Sequence, residues 1–223
     1  FTSIRHNEIC DMSYSGISVG WDWGGHRSTA HHNTIKDNHI HYLGHNRMND
    51  MAGIYLLGVS PGTEVSGNLI HDVDSYQSGV SYCLGGGIYL DQSASRVRVR
   101  NNVCYDISNA GFFQHYGGKN RVINNVFAGL RGLGRIGWGM IFQARPEGRT
   151  RDTGNVARRN IVVAPTGKAA KAYIKGKEKG FEFVDIDRNL YWAGGEDVRF
   201  SVGHQYKAGD IIGLKEWRQA GYD

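Results

Sequence analysis

A chain of 223 residues with a net charge of +5 is long enough to bury one sizeable core. Its 32 Gly against 3 Pro, beside 8 Phe, 12 Tyr and 5 Trp, exclude both a collagen-like repeat and a disordered tract. No apolar run reaches the roughly 18–20 residues of a membrane span. Residues 1–111 hold 7 Lys and Arg against 10 Asp and Glu, whereas residues 112–223 hold 19 against 11. The basic half matches no RNA-binding motif and reads as a solvated surface, with an acidic polysaccharide as the other candidate contact. Neither nucleic acid nor membrane is expected as a partner, and a monomer is expected.

Taken in order, the elements repeat. Asn followed two places later by an apolar residue recurs at Asn7, Asn38, Asn68, Asn102, Asn125, Asn160 and Asn189, at spacings of 31, 30, 34, 23, 35 and 29. The apolar partners are Ile9, Ile40, Ile70, Cys104, Phe127, Val162 and Tyr191. Three places upstream stand Ile4, Ile35, Val65, Val99 and Val122, with the sixth copy blurred at Val156. A second anchor, Gly before an apolar residue, falls at Gly16, Gly53, Gly87, Gly111 and Gly139. Within each copy the apolar residues alternate with polar ones, as in Val97-Arg98-Val99-Arg100, which is the strand period. Strands this short have no core except the copies above and below them, so the repeat predicts a stacked solenoid.

The expected fold is all-β, a right-handed parallel β-helix of the pectate-lyase type with about six or seven coils. Asn is expected in the left-handed region at each corner, its side chains bonding along a ladder, and Gly at tight corners with positive φ. Coils are expected over residues 1–163. Residues 164–223 are expected to form a last irregular coil, an exposed basic loop at 168–179, and a cap or short helix at 213–223 with Leu214, Trp217 and Arg218. Phe1 already stands in a strand-like pattern, so the chain reads as a piece of a longer one, without a visible signal peptide.

Aligning the Gly anchors sets outward residues in columns. Ser18, Tyr55, Tyr89, Phe113 and Ile141 form one; Gly20, Leu57, Asp91, His115 and Gln143 form the next. An aromatic wall beside forked polar groups suits sugars. Trp21 and Trp23 extend the first outward strand as a candidate stacking platform. Asp50 precedes Gly53-Ile54-Tyr55, and Asp91 stands on the strand face expected to be open, one coil on. Paired carboxylates about 5–5.5 Å or 6.5–9.5 Å apart carry glycoside hydrolysis, and adjacent coils reach either spacing. Asp beside Gly is equally ordinary turn chemistry.

The strings Asn49-Asp50-Met51-Ala52-Gly53-Ile54-Tyr55, Gly86-Gly87-Ile88-Tyr89-Leu90-Asp91 and Gln114-His115-Tyr116-Gly117 resemble those of bacterial β-helix carbohydrate-active enzymes, above all glycoside hydrolase family 141. Gly20-Trp21-Asp22-Trp23-Gly24 and the segment from Glu216-Trp217 to Asp223 share that resemblance, which covers most of residues 1–160 and returns near residue 223. That family includes α-L-fucosidases and xylanases. The resemblance implies a secreted or periplasmic hydrolase of a plant-type or other complex polysaccharide. It places the catalytic pair on Asp50 and Asp91, with His115 lining the site, and implies further N-terminal coils and a β-domain beyond this chain. One Asp is expected to stay protonated and serve as the acid, and Asp91, near His115, to be the ionised partner. Arg47, Trp21, Trp23, Tyr89 and Gln143 are candidates for substrate contact by position.

Two other classes stay open. A polysaccharide lyase acting on uronates needs a base, for which Arg98, Arg100 and Arg121 qualify, and Ca²⁺, for which Asp72 with Asp74 or Asp185 with Asp187 are candidates. A non-catalytic glycan-binding β-helix is the third class, though such strips repeat one residue type and these columns differ coil by coil. No cofactor is expected. His39 and His41 flank Ile40, and His71 occupies the slot of His41 one coil on. With no further ligand at recognised spacing they read as a solvated turn, and no metal site is expected. Cys10, Cys83 and Cys104 lack zinc spacing, and Cys104 is expected to be buried.

Overall fold

A computed structural model describes residues 1–23, 26, 28–76, 85–131, 138–143, 153–163, 170–175, 183–195, 197–202 and 211–223. The chain winds through three strands per coil. The first coil gives β1 (Ser3–Arg5), β2 (Glu8–Met12) and β3 (Ile17–Gly20), and the second β4 (Thr34–Lys36), β5 (His39–Leu43) and β6 (Met51–Leu57). Next come β7 (Glu64–Ser66), β8 (Leu69–Val73) and β9 (Gly85–Asp91), then β10 (Arg98–Arg100), β11 (Val103–Ile107) and β12 (Ala110–His115). The fifth coil holds β13 (Arg121–Ile123), β14 (Val126–Ala128) and β15 (Trp138–Gln143); the sixth β16 (Asn155–Arg158), β17 (Ile161–Val163) and β18 (Ala170–Lys175). β19 (Val184–Asp187), β20 (Leu190–Trp192) and β21 (Arg199–Val202) follow, and β22 (Ile211–Gly213) leads into the helix α1 (Leu214–Gln219).

Equivalent strands stack into three sheets. Two have seven strands, led by β1 and β2; the third has eight, running from β3 through β21 to β22. Among the described residues every pairing is parallel except that of β21 with β22. The expected parallel solenoid is therefore what the chain forms. Its register matches the sequence repeat: Ile4 pairs Ile35, Val99 pairs Val65 and Val122, and Ile40 pairs Ile9 and Ile70. These inward residues are almost all fully buried and make one continuous core. In the sixth coil the inward residue is Ala157, which pairs Val122; Val156 pairs outward Arg121. The coils continue past residue 163, since β19, β20 and β21 extend all three sheets.

One backbone expectation is corrected. The left-handed residue of each corner is the one before the ladder Asn: His6, Asp37, Gly67, Asn101, Asn124, Arg159 and Arg188 all have φ between 54° and 66°. The ladder Asn itself does not have positive φ, and its amide bridges coils. Asn7, Asn38, Asn68, Asn102, Asn125 and Asn160 each donate from Nδ2 to Oδ1 of the next Asn, at 2.9–3.0 Å. Each such Oδ1 also accepts the backbone N–H of the preceding Asn, as Asn125 does from Asn102 at 3.0 Å. Glycines do take positive φ at corners as expected, among them Gly44, Gly58, Gly62 and Gly117, whereas the anchors Gly16, Gly53, Gly87 and Gly111 serve close approach. A Cβ on Gly87 would stand 2.6 Å from the Gly111 carbonyl oxygen and 2.9 Å from Cys104 Sγ.

The far end of the core is closed by α1. Trp217 is fully buried and stacks on Phe200 and Tyr222, each at 4.3 Å between centroids. Among the described residues no helix is long and apolar enough to cross a membrane. Cys104 is buried as expected and burial pushes its thiol up, Cys10 is an exposed free thiol, and Cys83 lies outside the described residues. Of the basic segment 168–179, residues 170–175 form β18 and the rest also lies outside them.

Candidate active site

The third sheet carries a second apolar layer on its outer face. Tyr55, Tyr89, Phe113 and Ile141 form one column in register, flanked by Ala52, Ala110 and Trp138, and all are buried. Tyr55 and Tyr89 stack at 4.7 Å, and Tyr89 and Phe113 at 4.6 Å. Strand alternation names the side a residue faces but not what covers it. Asp91 is the consequence: it sits on the outward column and yet is only 2% exposed, not on an open face.

Burial obliges a carboxyl to find donors, and Asp91 has three within 2.7 Å. Oδ2 accepts the Tyr55 hydroxyl at 2.6 Å, while Oδ1 accepts the Gln92 backbone N–H at 2.7 Å and His115 Nδ1 at 2.6 Å. His115 comes from β12, stacks on Tyr116 at 4.0 Å, and has its side chain 22% exposed. Asp91 fixes the imidazole with Nδ1 as donor, which leaves Nε2 as the basic nitrogen.

Asp50 stands at the corner before β6, in the left-handed region with φ 55°. Tyr14 holds its carbonyl oxygen at 2.7 Å. Burial raises the Asp50 carboxyl above the usual carboxylate range, and the nearby charge of Asp91 raises it further. A hydrogen bond from Tyr89 and the proximity of His115 oppose the rise. The Tyr89 phenol interacts with both carboxyls, and burial followed by the two acids pushes it well up, so it stays a neutral donor. Tyr55 is likewise raised, by burial first and then by Asp91.

The fold thus brings together Asp50, Asp91, His115 and Tyr89. Trp21 joins them through an edge-to-face contact with Tyr55 at 5.1 Å while remaining 46% exposed. Gln143 is in register with His115 on the next coil and half-buried. Trp23 is exposed, and Arg47 is an exposed turn residue whose N–H bonds the Gly44 carbonyl; among the described residues no ion pair ties it to either acid. Sequence reasoning placed Tyr55 in the right column without giving it a part. Its position directly below Tyr89 was the available signal.

One model of a known family matches the chain, that of the right handed beta helix region, over residues 2–139. The chain belongs to the right-handed β-helix family. No curated protein and no solved structure matches it. Right-handed β-helices occur in polysaccharide-active enzymes and in other proteins, and the narrower likeness to glycoside hydrolase family 141 gains no support from these comparisons.

Features set aside for the other classes lie elsewhere on this β-helix. Arg98 and Arg100 on β10 and Arg121 on β13 belong to the first sheet, not to the sheet of the acid pair. Both candidate Ca²⁺ pairs are already engaged. Asp74 pairs Arg131 at 2.6 Å and Asp72 pairs His71 at 2.5 Å, while Asp185 pairs Arg158 and Asp187 pairs Arg188 at 3.3 Å. The histidine reading is overturned too. His39 and His41 lie on strand β5, not in a turn, and His41 and His71 are 8% and 9% exposed, hence not solvated.

Proposed function

We propose that this right-handed β-helix is a glycoside hydrolase acting on a plant-type or other complex polysaccharide or its oligosaccharides. What carries the reading is the asymmetry between two acids on adjacent coils: burial and the charge of Asp91 raise the Asp50 carboxyl, while Asp91 itself is saturated with donors and hydrogen-bonded to His115. Environments that set two acids to different tasks are the mark of acid–base pairs. A secreted or periplasmic setting accords with such a substrate, and the strings around Asp50 and Asp91 that resemble family 141 lend it support.

In this scheme Asp50 gives its proton to the glycosidic oxygen as the bond to the anomeric carbon breaks. Asp91 is enclosed and both its oxygens are occupied, so it acts as the positioning residue for His115. His115 Nε2 takes a proton from the water whose oxygen bonds the anomeric carbon, and the proton returns to Asp50 through solvent. Direct displacement by water inverts the anomeric centre. Trp21 supplies an aromatic face for the sugar.

Release of reducing ends from a panel of plant polysaccharides tests the reading, with proton NMR to follow the first-formed anomer. Loss of product in both Asp50→Asn and Asp91→Asn, with the β-sheet signal kept, supports it. Unsaturated uronate products identify a lyase instead, and glycan retention without product identifies a binding module; either outcome overturns it.

A further inference from the structure

We propose that His39, His41 and His71 bind one divalent transition-metal ion of the zinc class, on the second sheet and apart from the acid pair. His39 and His41 are two residues apart on β5 and project from the same face; His71 on β8 is in register with His41. One ring nitrogen from each of the three lies within 4.8 Å of the other two. His39 Nε2 and His71 Nε2 already face each other at 2.8 Å.

The tautomers suit a metal. The Asp72 carboxylate lies 2.5 Å from His71 Nδ1, so that nitrogen carries the proton and Nε2 keeps a bare lone pair toward His39. Glu8 Oε1 lies 3.2 Å from His41 Nε2, and His41 Nδ1 is buried with no hydrogen-bond partner. Two of the imidazoles are therefore held by carboxylates on one nitrogen and left basic on the other, the outer-shell arrangement that orients metal-binding histidines. The buried lone pair of His41 is a polar group that costs stability unless something accepts its electrons. A cation does so. Tyr105 stacks on His71 at 4.6 Å and restrains its ring from the next coil.

Three neutral imidazoles with a solvent molecule in the fourth position form a donor set for Zn²⁺, Co²⁺ or Ni²⁺, not for Ca²⁺ or Mg²⁺, which want oxygen. The ion would tie two successive coils together, so binding stabilises the stack by mass action.

The chelator-treated chain is titrated with Zn²⁺ by calorimetry and with Co²⁺ by visible absorption. One equivalent is expected to bind, with intense four-coordinate Co²⁺ bands and a melting temperature raised by roughly 5 °C at hundredfold excess over Kd. His71→Asn and His39→Gln each weaken binding at least about tenfold, and Asp72→Asn, which removes no metal-binding nitrogen but takes the carboxylate from His71 Nδ1, by about 10–100-fold. His31 and His32 meet through their Nδ1 atoms at 2.8 Å, apart from the cluster, and His32→Ala leaves binding unchanged, as does Asp50→Asn. His39 is the more exposed ligand, so its variant serves if His71→Asn does not fold. No saturable uptake by the folded chain, or wild-type affinity in His39→Gln and Asp72→Asn, overturns the proposal.

Discussion

His115 Nδ1 lies 2.6 Å from Asp91 Oδ1, although 24 residues and a full coil separate the two. The pair is a product of stacking. Each side chain occupies the same place in its coil, so neither meets the other until the register is set.

If Asp91 works through His115, Asp91→Asn and His115→Gln should fall together, each lowering kcat by roughly 10²–10⁴. The double variant should be little worse than either single one, because residues that act as a unit are not additive. Asp91→Asn should also cost about 1–3 kcal/mol of stability, since an amide leaves one of the donors facing it unsatisfied. Steady-state kinetics with denaturant melts separates the two effects.

The Asp50 carboxyl is raised by burial and by Asp91, so its proton is held more tightly in the folded chain than in the unfolded one. Activity should be present below its folded pKa and decline as pH rises through it. Stability has the same sign: it falls as pH climbs from the unfolded value of 3.8 through the folded one, then levels. Asp50→Asn should abolish both limbs and be at least as stable as the wild type at neutral pH, with the advantage shrinking in acid. Melting curves across pH check this.

The ladder makes a sharper demand on the fold. Asn102 is fully buried, accepts both the backbone N–H and Nδ2 of Asn68, and donates to Val65 O and Asn125 Oδ1. Asn102→Ala strands two donors and an acceptor and should cost about 3 kcal/mol or more. Asn7→Ala, at the exposed first rung, should cost under about 1 kcal/mol. Equal losses in chemical denaturation would dismiss the ladder as a stabilising device.

Much of this was readable in advance, because in a parallel stack one sequence spacing is one coil. Asn38 and Asn68 are 30 residues apart, and so are His41 and His71; the second coincidence announced the imidazole cluster as plainly as the first announced the ladder. Depth was harder to read. Asp91 alternates like a surface residue, and only the aromatic layer of Tyr55, Tyr89 and Phe113 encloses it. The corner geometry was misassigned by one position because Asn favours the left-handed region intrinsically, whereas here its amide is needed for bridging and the preceding residue takes the strain. Sequence position alone points to Arg47 and Trp23, and position along a loop does not fix direction.

Gly87→Ala isolates the close-packing role of the anchors. With an added methyl 2.6 Å from a backbone oxygen, the variant should lose about 1–3 kcal/mol, measurable by thermal melts. Gly195→Ala is a useful contrast for space: its φ of 90° is unfavourable, but among the described residues no atom beyond its chain neighbours lies within 4 Å of the added methyl.

Asp223 gives the row of amides a polarity. Its Oδ1 accepts the N–H of Asn189 at 2.8 Å and Nδ2 at 3.1 Å, and its Oδ2 accepts from Tyr191 and Trp217. Every amide in the series points its hydrogens toward this residue, so their dipoles add head to tail as peptide dipoles do in a helix. An anion is thereby seated at the electropositive terminus of an aligned array, and a neutral residue there would leave the whole array without its counter-charge.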